Sequence, residues 1–360
     1  MEDIILHHQF NYTDVDRAFW VKHLEDWVPQ RVFDSHIHII DQSYQLETVS
    51  EEMKRSYWVQ ELQNMMSADV AEHCYQTVFP GRDVCCTGFG WPFLGWEIEG
   101  SNEYVWKHLP LKNWNALAIV RPTWVAEQVE WLLSQPGVIG VKPYYSLIGH
   151  DADSRDKYIE ASIFDFLPHH QLEVLNEHKA WVTMHVPKAD RLGHPENQRD
   201  IKEIRKKYPD IKLVIAHFGR CYTKPHAEEG ILPLADDPGI YWDSSAVLNP
   251  EVHALAMEHI GPDQILYGTD NPMFMMRGRR KWQGRSYTNH TSQDFYFNTN
   301  RESPEIEAGY TLYMYEALKA MKQACEQVGI DRDGVEKMFF RNADRLVADV
   351  AAHRNASTVI

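Results

Sequence analysis

Residues 31–40 read RVFDSHIHII. Apolar residues at Val32, Phe33, Ile37, Ile39 and Ile40 make this run a buried strand, and His36 and His38, two apart, project from the same face of it. On a barrel strand that face points into the lumen, so the stretch predicts a strand carrying two imidazoles side by side. Further short apolar runs follow at QTVFP (76–80), NALAIVRP (115–122), VIGVKPYY (138–145), AWVTMHVP (180–187), IKLVIAHFG (211–219), GIYWDSSAV (239–247) and QILYGTDNP (264–272). Eight such runs alternating with helices are what a closed parallel sheet requires. The fold class is therefore α/β, a (β/α)8 TIM barrel over residues 31–350.

The helices between the runs have local support. PENQRDIKEIRKKYPD sets Ile201 and Ile204 on one face and stops at Tyr208-Pro209-Asp210, while PEVHALAMEHIGPDQ opens on a proline and ends at Gly261-Pro262. Three segments fall outside the repeat. Residues 1–30 form an N-terminal extension whose FWVKHLEDWV portion packs as a helix on the barrel. Residues 83–114, containing CCTGFGWPFLGW, read as a Gly- and Trp-rich insertion after the second strand, and 273–310 as a long, basic, aromatic lid-like loop after the eighth. Residues 351–360 read as a C-terminal tail.

A hydrophobic fraction of 44% supplies a large core, and the formal charge of −16 argues against nucleic acid or an anionic membrane surface as partner. No run approaches the ~18 apolar residues of a membrane span, and the N-terminus lacks the pattern of a signal peptide. Cys74, Cys85, Cys86, Cys221 and Cys325 form an odd set without CxxC spacing, which suggests neither a disulfide framework nor a thiolate zinc site. The reading expects a cytoplasmic protein, and it leaves room for a homo-oligomer.

His185 (VTMHVP), His217 (VIAHFG) and Asp270 (YGTDNP) each stand near the C-terminal end of a predicted strand, where barrel enzymes assemble their active sites. A core histidine satisfied by one hydrogen bond explains any one of these residues alone. It explains poorly the coincidence of all of them with the His36/His38 pair.

At these residues the chain resembles the amidohydrolase superfamily, and within it the amidohydrolase-2 branch of decarboxylases, lactonases and hydratases. The resemblance runs from about residue 31 to 347 and implies that His36, His38, His185 and Asp270 ligate one divalent ion, usually zinc and sometimes manganese. It further implies that His217 sits over the bound water or substrate. Many amidohydrolases carry a metal-bridging lysine on strand four, where this chain has Lys142; that residue reads as a lumen-facing cation near substrate or as an ion-pair partner. Imidazole nitrogen and carboxylate oxygen suit such an ion, with Asp270 as ligand or proton acceptor and His217 as general acid or base.

For substrate contacts the sequence offers Arg121 after strand three, Lys142, Trp124, Ser244 and the basic stretch 277–285, all toward a small, anionic molecule. Each also has a plain reading as a wall salt bridge, a core aromatic or a solvated loop. The leading function is hydrolysis of a carboxylated or polyhydroxylated lactone, ester or amide by metal-activated water. The alternatives are a non-oxidative decarboxylase or hydratase using the same ligands and, from another class, a non-catalytic barrel scaffold.

Overall fold

The computed structural model describes residues 3–62, 65–149 and 158–357. Eight strands follow one another in chain order around a barrel: β1 (Arg31–His38), β2 (Asp83–Phe89), β3 (Asn115–Val120), β4 (Val138–Pro143), β5 (Trp181–Met184), β6 (Lys212–Ile215), β7 (Ile240–Asp243) and β8 (Ile265–Leu266). Each pairs in parallel with the next. All residues of β4 and β5 are buried, because the lumen covers one face and helices the other; such strands appear as continuous apolar runs rather than as alternation. The helix after β5 is Pro195–Lys207, with Ile201 and Ile204 facing inward, and it ends at Tyr208.

The seam between β8 and β1 is closed by backbone bonds beyond the short β8 itself. Ser35 N donates to Tyr267 O (2.9 Å), Asp270 N to His36 O (2.8 Å) and His38 N to Asn271 O (2.9 Å). The fully buried Asp34 carboxylate braces the same seam, accepting from Tyr75 Oη (2.7 Å), Thr269 Oγ1 (2.5 Å), Thr269 N (2.9 Å) and His36 N (3.0 Å). Burial pushes its pKa up to about 7 against the pull of those donors. The bonds that close the barrel therefore also align His36 and His38 with Asp270.

The second strand departs from the expectation. Residues 76–78 end a helix, Ala68–Val78, capped by Ser67, whose buried residues Ala68, Ala71, Cys74, Tyr75 and Val78 repeat every three or four positions. A five-residue window conceals that period, and QTVFP looks like a strand. The strand is instead DVCCTGF at 83–89, so 83–114 is not one insertion: it contributes β2, a loop at 90–97 and the helix Ile98–His108. Within β2, burial pushes the Cys85 thiol up to about 12, which keeps it protonated.

The segment after β8 is ordered as a hairpin. Gly278–Gln283 pairs antiparallel with Ser286–Thr291 across a two-residue turn in which Gly284 has φ 57°. The N-terminal extension is a small hairpin, Ile4–His7 with Phe10–Tyr12, followed by the helix Asp14–His23. Trp20 of that helix is buried against Phe79 and Tyr315, and Asp16 takes a bidentate contact from Arg277 (2.9 and 2.6 Å). The extension thus fastens the segment leading into the mouth hairpin. At the other end the last helix runs from Asn342 to Ser357, so the expected tail is helical over 351–357; 358–360 lie outside the described residues.

Candidate active site

Three donor groups meet at the C-terminal mouth: Nε2 of His36 and Nε2 of His38 each lie 3.5 Å from Oδ1 of Asp270. The opposite ring nitrogens are occupied, Nδ1 of His36 by Asp243 Oδ2 (2.8 Å) and Nδ1 of His38 by Gly90 O (3.2 Å). Since both partners accept hydrogen bonds, each Nδ1 carries the proton and each Nε2 presents its lone pair toward Asp270. Burial, foremost, lowers the pKa of both rings and keeps them neutral. Burial alone would raise the Asp270 carboxyl, yet the group lies below its usual range and is ionised. Two neutral imidazoles and a carboxylate, tied from behind, fit a divalent ion of borderline softness.

Asp243, at the end of β7, is the hub behind this group. Its Oδ2 accepts from His36 Nδ1, from Ser245 Oγ (2.5 Å) and from His217 N (3.2 Å), while Oδ1 accepts from Ser245 N (2.9 Å). Gly268 makes room for it: a Cβ there would stand 2.5 Å from Asp243 Oδ1 and 2.9 Å from the His36 Cβ. Because Ser245 Oγ–H donates to Asp243, the oxygen accepts from His217 Nδ1, 2.8 Å away. His217 therefore carries its proton on Nδ1, and the other nitrogen has a lone pair. His36, His217 and Asp243 form a second cluster whose donor atoms lie within 4.8 Å of one another, but Asp243 is already filled by hydrogen bonds.

His185, after β5, lines the same cavity, with its ring centroid 5.4 Å from that of His217 and 4.7 Å from that of Tyr144. It is not part of the 4.8 Å grouping of His36, His38 and Asp270 found among the described residues. Lys142 rises from β4 into the cavity, 1% exposed, its Nζ without a hydrogen-bond partner and 5.0 Å from the Phe89 ring centroid. Burial pushes its pKa down to about 8, opposed by Asp243 and Asp270.

The cavity above these groups measures about 130 Å³. Its lining includes the aromatic side chains of Trp91, Phe93, Tyr144 and Phe274, and Arg191, Arg220 and Arg280 together with Tyr222 and Tyr287. Several functional positions sit in strained backbone: φ is 55° at His217, 64° at Arg220, 60° at Arg191 and 58° at Asp270. Non-glycine residues in this region carry roughly 1–3 kcal/mol of strain each, and they concentrate at ligand sites.

Three of the residues expected to touch substrate lie elsewhere. Arg121 turns toward the helix layer, 4.0 Å from Glu99, and Trp124 lines a separate groove with Trp106 and Trp131. Ser244 faces a small void beside His253 and Thr269, because alternate residues after β7 point to opposite sides and Ser245 takes the lumen side. Of the basic stretch, Arg280 reaches the cavity, whereas Arg277 pairs with Asp16, Arg279 and Lys281 with Glu302, and Arg285 with Glu229. Asp243, Arg191 and Arg220 went unrecognised as site residues; the signal for Asp243 was its place before Ser244-Ser245 at a strand end, while the arginines carry no motif.

No match is found among curated proteins. Similar solved structures include 2,6-dihydroxybenzoate decarboxylase from Rhizobium (12% identity, TM-score 0.52, covering 89% of this chain and 99% of that one). An amidohydrolase from Burkholderia multivorans with bound zinc has 10% identity and a TM-score of 0.53 over 88% and 99% of the two chains. The 5-carboxyvanillate decarboxylase from Novosphingobium aromaticivorans, complexed with manganese and 4-hydroxy-3-methoxy-5-nitrobenzoic acid, has 11% identity and a TM-score of 0.51 over 90% and 97%. At these identities the likeness establishes the barrel fold. No helix among the described residues is long and apolar enough to cross a membrane. The family model described as amidohydrolase matches residues 110–348, from before β3 to the last helix and including His185, His217 and Asp270, and the chain therefore belongs to the amidohydrolase family of enzymes.

Proposed function

We propose that this protein is a metal-dependent hydrolase of a small anionic lactone, ester or amide, and that His36, His38, His185 and Asp270 hold one divalent ion, zinc foremost and manganese next. The observation that carries the reading is the convergence of Nε2 of His36, Nε2 of His38 and Oδ1 of Asp270 on one cavity that His217 also lines. A divalent ion, when bound, supplies Lewis acidity toward a carbonyl oxygen and acidifies water.

The chain's own residues do the rest. His217, with its proton on Nδ1 held by Ser245, has a lone pair to take a proton from attacking water and return it to the leaving oxygen or nitrogen. Asp243 keeps His36 in the tautomer that offers Nε2 to the site. Lys142 faces the same space as a cation without a hydrogen-bond partner, suited to a negative group of the substrate. Trp91, Phe93, Tyr144 and Phe274 give the cavity an apolar lining that disfavours water.

The same aromatic wall favours a second reading, decarboxylation of a ring acid. There the bond to the carboxylate breaks, carbon dioxide leaves, and the electron pair left on carbon takes a proton from an acidic group of the site. Metal-loaded protein challenged with lactones, carboxylated aromatics and sugar acids tests both readings by product: ring-opened or cleaved acid for hydrolysis, carbon dioxide for decarboxylation. Turnover of none of these classes by protein carrying stoichiometric metal would contradict both.

A further inference from the structure

Three guanidinium groups enter the cavity from different elements. Arg191 comes from the loop after β5, Arg220 from the turn after β6 and Arg280 from the mouth hairpin. Arg220 and Arg280 are 9% and 7% exposed. Among the described residues none of the three has an ion pair with a carboxylate; their recorded partners are neutral. Arg220 Nη1 donates to the carbonyls of Val186, Pro187 and Lys188 (3.3, 3.5 and 2.8 Å). Arg280 donates from Nε to Asn289 Oδ1 (2.8 Å) and from Nη1 to Ala246 O (3.1 Å). Arg191 Nη1 meets the His226 ring, and its Nε has no partner.

Tyrosines hold the cations apart. Arg191 and Arg280 lie 5.8 and 5.1 Å from the Tyr222 ring centroid, and Arg280 lies 4.5 Å from that of Tyr287. Ring faces offset part of the mutual repulsion, but a desolvated cation without a counter-charge remains costly. Against Asp243 and Asp270 the same cavity sets Lys142, three arginines and the divalent ion of the preceding section. This excess of positive charge, in a chain of formal charge −16, calls for a ligand with more than one negative group.

We infer that Arg191, Arg220 and Arg280 form a second anion subsite in the cavity that His36, His38 and Asp270 also line, and that the substrate bears a distal carboxylate or phosphate in addition to its reacting group. The inference rests on the cavity being the substrate site. The unused Nη2 atoms of Arg220 and Arg280 offer the planar donor geometry that suits a carboxylate or phosphate. Arg220 is anchored by its bonds to the Val186, Pro187 and Lys188 carbonyls, and Arg280 by those to Asn289 and Ala246.

The test is equilibrium binding to the full-length protein of a matched set: benzoate, isophthalate and phenyl phosphate. Isophthalate or phenyl phosphate should bind at least about tenfold more tightly than benzoate, and whichever of the two is tighter identifies the distal group. Arg280→Gln and Arg220→Gln should abolish that preference, Arg280→Lys should retain part of it, and Arg121→Gln, outside the cavity, should leave it unchanged. Circular dichroism and metal content establish that each variant is folded. Equal binding of mono- and dianions by the native protein, or a preference that survives both glutamine variants, would overturn the subsite. His38→Ala separates the two proposals: loss of metal with the preference retained is expected. If the native protein takes up no metal yet keeps the preference, the hydrolase reading fails while the subsite stands.

Discussion

Nδ1 of His36 lies 2.8 Å from Oδ2 of Asp243, and both side chains are fully buried. The contact joins β1 to β7 across the lumen and determines which nitrogen of His36 faces the reaction space. Asp243→Asn preserves size but places an amide where four donors now converge. Metal affinity should fall by about 10- to 100-fold, as it does when such carboxylate partners of ligating histidines are changed. Competition with a chromogenic chelator reads this directly, and an unchanged affinity would remove Asp243 from the metal's support.

His217 is assigned to proton transfer. His217→Asn should lower turnover by about 10²-fold or more while metal content stays near that of the native protein. Ser245→Ala, which removes the Oγ acceptor of Nδ1 and leaves only the Ser245 carbonyl at 3.2 Å, should lower turnover less and shift the acid limb of its pH profile. A loss of metal as steep as that caused by His185→Ala would move His217 among the ligands.

The Asp34 carboxylate accepts four hydrogen bonds, two of them from Thr269 after β8, and so ties β1 to that segment. Asp34→Ala strands those donors in a sealed interior and should cost at least about 3 kcal/mol. Urea unfolding in the presence of chelator isolates this from metal loss. A cost below about 1 kcal/mol would show that the seam closes without it.

His253, on the helix after β7, is buried and donates from Nε2 to Val247 O (2.9 Å), and burial pushes its pKa down from 6.5 to about 4. The unfolded chain takes up this proton near pH 6.5 and the folded chain does so near pH 4. The stability linked to the neutral ring is therefore complete above the higher value and is lost as pH falls toward the lower. The gap between native protein and His253→Gln should narrow by about 2 kcal/mol from pH 7.5 to pH 5. A gap independent of pH would mean that the folded environment does not shift the ring's pKa.

What was legible in the sequence was local. The two-residue spacing of His36 and His38 and the positions of His185, His217 and Asp270 at strand ends follow from the period of a strand and from where barrels keep their sites. β2 was misplaced because DVCCTGF, with Gly88 and two cysteines, owes its strand to neighbours on both sides, whereas QTVFP carries strand-like composition at the end of a helix. The cations failed for a different reason. Arg121 follows a strand directly yet turns outward to Glu99, while Arg220 reaches the cavity through three successive positive-φ residues before it. No spacing rule announces such a backbone path.

The proposed function stands on one divalent ion held at the β1/β8 seam. Crystallographic anomalous scattering from protein purified with zinc or manganese tests it most directly. One ion per chain is expected, roughly 2.0–2.2 Å from Nε2 of His36, Nε2 of His38 and Oδ1 of Asp270 for zinc, with His185 completing the set. An anomalous peak at Asp243 between His36 and His217, or no peak above background in protein prepared without chelator, would contradict it.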